Sequence, residues 1–151
     1  MPDTNPVLDF IRANIGKETV TSPSPVGNLL RGTLVSAEEG HLVATYKVRP
    51  EMTNPVGQLH GGMSATIIDD LIGMTVFSLN NEYFYTSIDL HVNFLRSAAA
   101  GDEVKATAQV VRRGRNVIYV EANIANAEGK LIATATSNMA RTPMPTGKMG
   151  Q

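Results

Sequence analysis

No cysteine and no tryptophan occur among the 151 residues, and histidine occurs only three times. The missing cysteine excludes disulfides, thiolate nucleophiles, cysteine-bound zinc and cysteine-ligated iron–sulfur clusters. His41, His60 and His91 are scattered, with no His-x-x-x-His spacing, so no metal site is expected. Surplus charge is missing as well. The 13 Lys+Arg stand against 14 Asp+Glu, a net charge of −1, without the basic footprint of a nucleic-acid binder. Weak self-repulsion is compatible with oligomers. Met1 to Phe10 carries no basic stretch followed by an apolar run, so no signal peptide is read and a cytoplasmic location is expected. What is present, 42% hydrophobic and 18% charged residues, suits one globular domain.

Apolar spacing predicts a helix over Val7 to Ile15, stopped at Gly16. Thr19 to Asn28, with Thr-Ser-Pro-Ser-Pro, reads as a turn-rich connector. Two β-prone runs follow, Arg31 to Ala37 and Leu42 to Val48, with a hairpin loop between them. Gly61 to Leu79 reads as a long helix with apolar residues on every face, which belongs inside a protein or a membrane. Asp69 and Asp70 lie in its middle, and each central Asp costs about 2.5–3.5 kcal/mol on an insertion scale. A buried helix of a globular protein is therefore expected, with no membrane span. Four strands follow: Tyr85 to Leu95, Val104 to Val111, Val117 to Ala125 and Leu131 to Ala140. Short hairpin links imply an antiparallel sheet. An α+β architecture results, a sheet of about six strands curled around one helix. The expected division is residues 1–28 as N-terminal helix and connector, 29–141 as the main domain, and 142–151 as a flexible tail.

The chemistry-bearing residues gather around the long helix. His60-Gly61-Gly62 stands at its start, where free N–H groups and partial positive charge suit a polarised carbonyl oxygen. The same glycines equally serve tight packing at a helix start. Asp69 and Asp70 point roughly 100° apart. Either is a natural general base in an apolar pocket, or a solvated or paired helix edge. Ser87, Asp89, His91 and Asn93 form a polar row on one strand face. Arg112, Arg113 and Arg115 flank Gly114 at a tight turn, which suits phosphate binding or a solvated tip. Met63, Ile67 and Phe77 face either a pocket or the core.

Taken together, Asn54-x-x-Gly57-x-Leu59-His60-Gly61-Gly62, Asp69, Ser87-Ile88-Asp89 and the Arg-Arg-Gly-Arg of residues 112–115 resemble the hotdog-fold acyl-CoA thioesterases. The branch is the one typified by the phenylacetic-acid-degradation thioesterase, and the resemblance runs from Leu29 to Arg141. It implies a hotdog fold, a central helix wrapped by a curved antiparallel sheet. It also implies a homo-oligomer, a dimer or dimer of dimers with active sites between protomers. The backbone N–H of Gly61 is expected to meet the thioester carbonyl, and Asp69 from across the interface to act as base or nucleophile. Asn54 and His60 are expected to orient the site, and Ser87 to position water. Gly62 and the segment Arg113, Gly114, Arg115 and Asn116 are expected beside the substrate, the latter near its coenzyme A portion. Coenzyme A enters as part of the substrate, and no cofactor is implied. The doubled acid departs from the many relatives that carry one, and a second ionisable neighbour raises the pKa of the first. A hotdog enoyl-thioester hydratase and a non-catalytic acyl-CoA binding protein are the alternative readings.

Overall fold

The computed structural model describes residues 4–148. The chain opens with α1 (Pro6–Arg12), capped by the Asn5 side chain, which accepts from the Leu8 N–H at 2.9 Å. Leu8 and Ile11 are buried. The helix ends three residues before the expected Ile15, because Asn14 and Ile15 donate to carbonyls three residues back and tighten the chain out of α geometry. The expected connector contains a second helix, α2 (Pro25–Leu30). Ser24 caps it, Pro25 occupies its first turn, and Arg31 closes it in the left-handed conformation.

Strands β1 (Thr33–Glu38) and β2 (His41–Lys47) form a hairpin turned at Gly40, whose φ is 76°. A 3₁₀ turn at Pro50–Met52 and an irregular loop lead into α3 (Gly61–Phe77). Strands β3 (Tyr83–Ser87), β4 (His91–Phe94), β5 (Glu103–Arg113), β6 (Val117–Ala125) and β7 (Leu131–Pro145) complete the chain. The sheet is antiparallel, in the order β1-β2-β5-β6-β7-β3, with β4 also on β7. This is the α+β hotdog fold: α3 lies in the concave side of the sheet, packed mainly on β5, β6 and β2. Ile67, Ile68, Leu71, Ile72 and Val76 are buried there. Among the described residues no helix is long and apolar enough to cross a membrane.

Two further expectations need correction. The single strand Tyr85 to Leu95 is two strands, interrupted at Ile88–Leu90. There the Asp89 carboxylate accepts from the Asn138 N–H at 2.8 Å and Ser137 Oγ donates to the Asp89 carbonyl. A side chain thus replaces a rung of the ladder, and this bonding holds the Asp89 carboxyl below the usual range. The tail is not frayed from Arg141. Strand β7 continues to Pro145, paired with Tyr83, and Thr146 Oγ1 donates to the Asn81 carbonyl at 2.9 Å. Residues 149–151 lie outside the described residues.

Ile72 is fully buried between α3 and the sheet. Ile72→Ala is expected to lower the unfolding free energy by about 2–5 kcal/mol. Val56→Ala, at a side chain 75% exposed, is expected to change it by less than about 0.5 kcal/mol. Urea titration of both variants checks the pair.

Candidate active site

The N-terminus of α3 is the first part of the site. His60 caps the helix, its Nδ1 accepting from the Gly62 N–H at 2.9 Å. The ring nitrogen thereby gives one of the orphan first-turn N–H groups a partner. The His60 carbonyl accepts from Met63 and Ser64. Of the first-turn donors, the Gly61 N–H alone has no acceptor among the described residues. A side chain on Gly61 would meet the Phe94 ring at 3.3 Å, so β4 presses directly on this helix end. Nothing in the sequence marks Phe94 as a site residue, since its strand alternation gives no hint of a neighbour so distant in sequence.

Asn54 organises the loop before the helix. Its Oδ1 accepts from the N–H groups of Val56 and Gln58, both at 3.1 Å, and its own N–H donates to the Gln58 carbonyl. It is thereby a loop-shaping residue, which sets the approach to His60.

The middle of α3 is the second part. Ser87 on β3 donates to Asp69 Oδ1 at 3.0 Å. Both side chains are exposed within the protomer and line a cavity of about 680 Å³, within the range of ligand pockets. Its floor is the α3 face carrying Thr66, Asp69, Gly73 and Phe77. One bank is β3, and the other is the Ser22–Val26 segment around the start of α2. Phe77 therefore faces the cavity, Ile67 lies in the core, and Met63 packs against the core's margin. Tyr83 lines the cavity as well, with the Arg141 guanidinium 5.1 Å from its ring centre.

Asp70 has a different role from its neighbour. Ser24 Oγ donates to its Oδ1 at 2.6 Å, while the same Oγ accepts from the Gly27 N–H. Burial pushes the Asp70 carboxyl above the usual range, the Ser24 bond works against that shift, and the charge of Asp69 adds to it. The raised pKa expected of the doubled acid thus appears on Asp70.

The structure does not bring the β5–β6 hairpin to the helix start. Arg113 donates to the Leu79 carbonyl at 3.1 Å and to Asn81 Oδ1 at 2.9 Å, and pairs with Glu39 at 3.5 Å. It clasps the far end of α3, about 24 Å of helix from Gly61. The Gly114 N–H closes the hairpin on the Val117 carbonyl, the Arg115 carbonyl accepts from Tyr85 Oη, and the Asn116 carbonyl accepts from the Arg141 N–H. Arg113 is therefore a tether in its own protomer and not a free tip cation. The Arg115 guanidinium is exposed, with no carboxylate partner among the described residues.

Asp70 also sets a pH dependence. Its folded-state pKa lies above its unfolded one, so the fold binds this proton more tightly. The associated stability is complete below the ordinary carboxylate pKa and is lost as pH rises through the raised one. Asp70→Asn keeps an acceptor for Ser24 and removes the ionisation. Its unfolding free energy relative to wild type is expected to rise as pH increases from below the ordinary carboxylate pKa toward neutrality; a difference flat over that range in urea titrations would contradict the assignment.

Comparison with known proteins agrees with this geometry. The family model of the thioesterase superfamily matches residues 56–133. Human acyl-coenzyme A thioesterase 13 is 34% identical over 102 residues, 67% of this chain and 73% of that protein. The structure of the Escherichia coli PaaI protein from the phenylacetic acid degradation operon superposes with a TM-score of 0.75 at 25% identity, covering 81% of this chain and 87% of that one. A hypothetical thioesterase from Streptococcus pneumoniae, solved with coenzyme A, superposes with a TM-score of 0.70 at 28% identity, covering 74% and 85%. With its wrapped central helix, its free N–H at the helix start and its matching middle segment, the chain belongs to the hotdog-fold thioesterase superfamily, in the phenylacetic-acid-degradation branch.

Proposed function

We propose that the protein hydrolyses an acyl-CoA thioester, with an aromatic or medium-to-long aliphatic acyl group, to the free acid and coenzyme A. The observation that carries this reading is the Ser87–Asp69 hydrogen bond at the edge of a large, mainly apolar cavity. The names of the relatives support it, since acyl-CoA thioesterases stand among them.

Gly61 and Asp69 are eight positions apart on one helix, hence about 12 Å apart along its axis. One thioester carbon cannot touch both within a protomer. The reading therefore requires two copies of the chain, with Gly61 from one and Asp69 with Ser87 from the other. Among the described residues strand β4 pairs only with β7, and Phe94 and Leu95 beside that edge are more than half exposed. A second copy covering this region buries apolar surface and brings the two half-sites together.

In the proposed reaction the thioester oxygen rests on the Gly61 N–H, where the helix end favours developing negative charge. Asp69 takes a proton from a water held by Ser87, the water oxygen bonds to the acyl carbon, and the carbon–sulfur bond breaks. Sulfur leaves with the electron pair and takes up the proton. The phosphate-bearing part of the substrate extends over exposed cations, of which Arg115 is one.

Two measurements of thiol release test this, free of background because the chain has no cysteine. Asp69→Asn is expected to lose about 10²–10⁴-fold in kcat. Gly61→Pro removes the N–H at a position where proline fits a helix, and is expected to lose about 10²–10³-fold in kcat. Gly61→Ala retains the N–H and presses on Phe94 in the same way, so it should keep most of that activity. Equal losses in both Gly61 variants would remove the N–H from the mechanism, and a folded wild type releasing no thiol from any acyl-CoA would remove the reaction.

A further inference from the structure

Asp70 is a half-buried carboxylate that the proposed reaction does not use, and α2 is a short helix beside the cavity. They meet. The C-terminal end of α2 is pinned by Leu30, which is buried, and by Arg49, whose guanidinium donates to the Leu29 and Leu30 carbonyls at 2.7 and 2.9 Å. Its N-terminal turn has no such anchor. Val26 is 42% exposed, and Asn28 only ties the turn back to Ser22. What joins this turn to α3 is the Ser24–Asp70 hydrogen bond, 2.6 Å long. Gly27 makes the approach possible, since a side chain there would meet Asp70 Oδ2 at 3.1 Å. Ser22, Pro23, Ser24 and Val26 are the bank of the cavity opposite β3.

We propose that Asp70 is a positioning residue that latches the Ser22–Val26 bank to α3 through Ser24, and so sets the width of the acyl groove and the cross-section of the acyl group it accepts. The proposal rests on the thioesterase reading for its substrate. The latch acts across the groove, since Ser22, Pro23, Ser24 and Val26 line the same cavity as β3. Releasing it lets the N-terminal turn of α2 swing about its pinned end. A bulky acyl group then gains relative to a slender one of equal carbon content. Asp69 and Asp70 divide the work: one faces the reacting end of the groove, the other holds the wall.

The test compares phenylacetyl-CoA with octanoyl-CoA, which carry the same number of acyl carbons in different cross-sections. Asp70→Ala removes the latch and leaves Ser24 capping α2. Gly27→Ala pushes the turn away without altering either latch residue. In both, the ratio of kcat/KM for phenylacetyl-CoA over octanoyl-CoA is expected to rise at least about tenfold, with the change carried by KM. Asp70→Asn, which still accepts from Ser24, is expected to return the ratio to the wild-type value. A ratio unchanged in Asp70→Ala and Gly27→Ala, with both substrates losing activity alike, would overturn the proposal, and so would a kcat loss like that of Asp69→Asn. Dissociation constants of the non-hydrolysable thioether analogues of the two substrates are measured alongside. If wild type releases no thiol from these or any other acyl-CoA, the functional reading fails and the thioether ratio still decides the latch. It rises by the same factor when the bank is released, or it stays fixed and the latch is refuted.

Discussion

A helix apolar over most of its circumference cannot stand at the surface of a protein, and everything else here follows from covering α3. Ile67, Ile68, Leu71, Ile72 and Val76 require apolar neighbours on several sides. The curved sheet supplies them through β5, β6 and β2. Coverage is incomplete along one line, where Gly62, Thr66, Asp69 and Gly73 are exposed or half-buried. These are spaced four, three and four residues apart, which is one stripe of an α-helix. The stripe that the sheet leaves bare contributes Thr66, Asp69 and Gly73 to the floor of the cavity. Packing and site are thus two sides of the same helix.

Adjacent positions on that helix explain the two carboxylates. A rotation of about 100° separates them, enough to put Asp69 on the open stripe beside Ser87 and Asp70 against the cap of α2. Their environments differ accordingly. Burial and a neighbouring charge raise the carboxyl of Asp70, and a serine hydrogen bond restrains the rise. A polar group placed where water is scarce is tolerated because it has a partner. Among the described residues no buried side-chain nitrogen or oxygen lacks one.

Most of the fold was legible in the sequence because its signals are periodic. The alternation of β5 to β7 and the apolar density of α3 are repeated many times over, so single exceptions do not obscure them. Misses fall where one side chain overrides the pattern. Asp89 interrupts a strand that alternates correctly on both sides of it. Helix α2 is six residues long, too short for periodicity, although Ser24-Pro25 is a cap followed by a first-turn proline and was readable as such. The site was legible in its parts: His60-Gly61 as a helix start, and Asp69 through the family resemblance. Its pairings were not. Nothing local connects Ser24 with Asp70 or Gly61 with Phe94, since those contacts are made by tertiary packing. The small-or-polar stripe from Gly62 to Gly73 is the local signal of the open face, and the apolar density around it masks it.

The eight-residue interval between Gly61 and Asp69 has a further consequence. A rigid helix keeps them about 12 Å apart, so no rearrangement of loops completes a site within one chain. In the proposed two-chain site, catalysis becomes a property of the assembly and obeys mass action. Specific activity then falls on dilution as copies part, and a substitution far from the chemistry can silence the enzyme by loosening the contact. Heredity acts on such a protein twice, once through the residues that react and once through the surface that lets them meet.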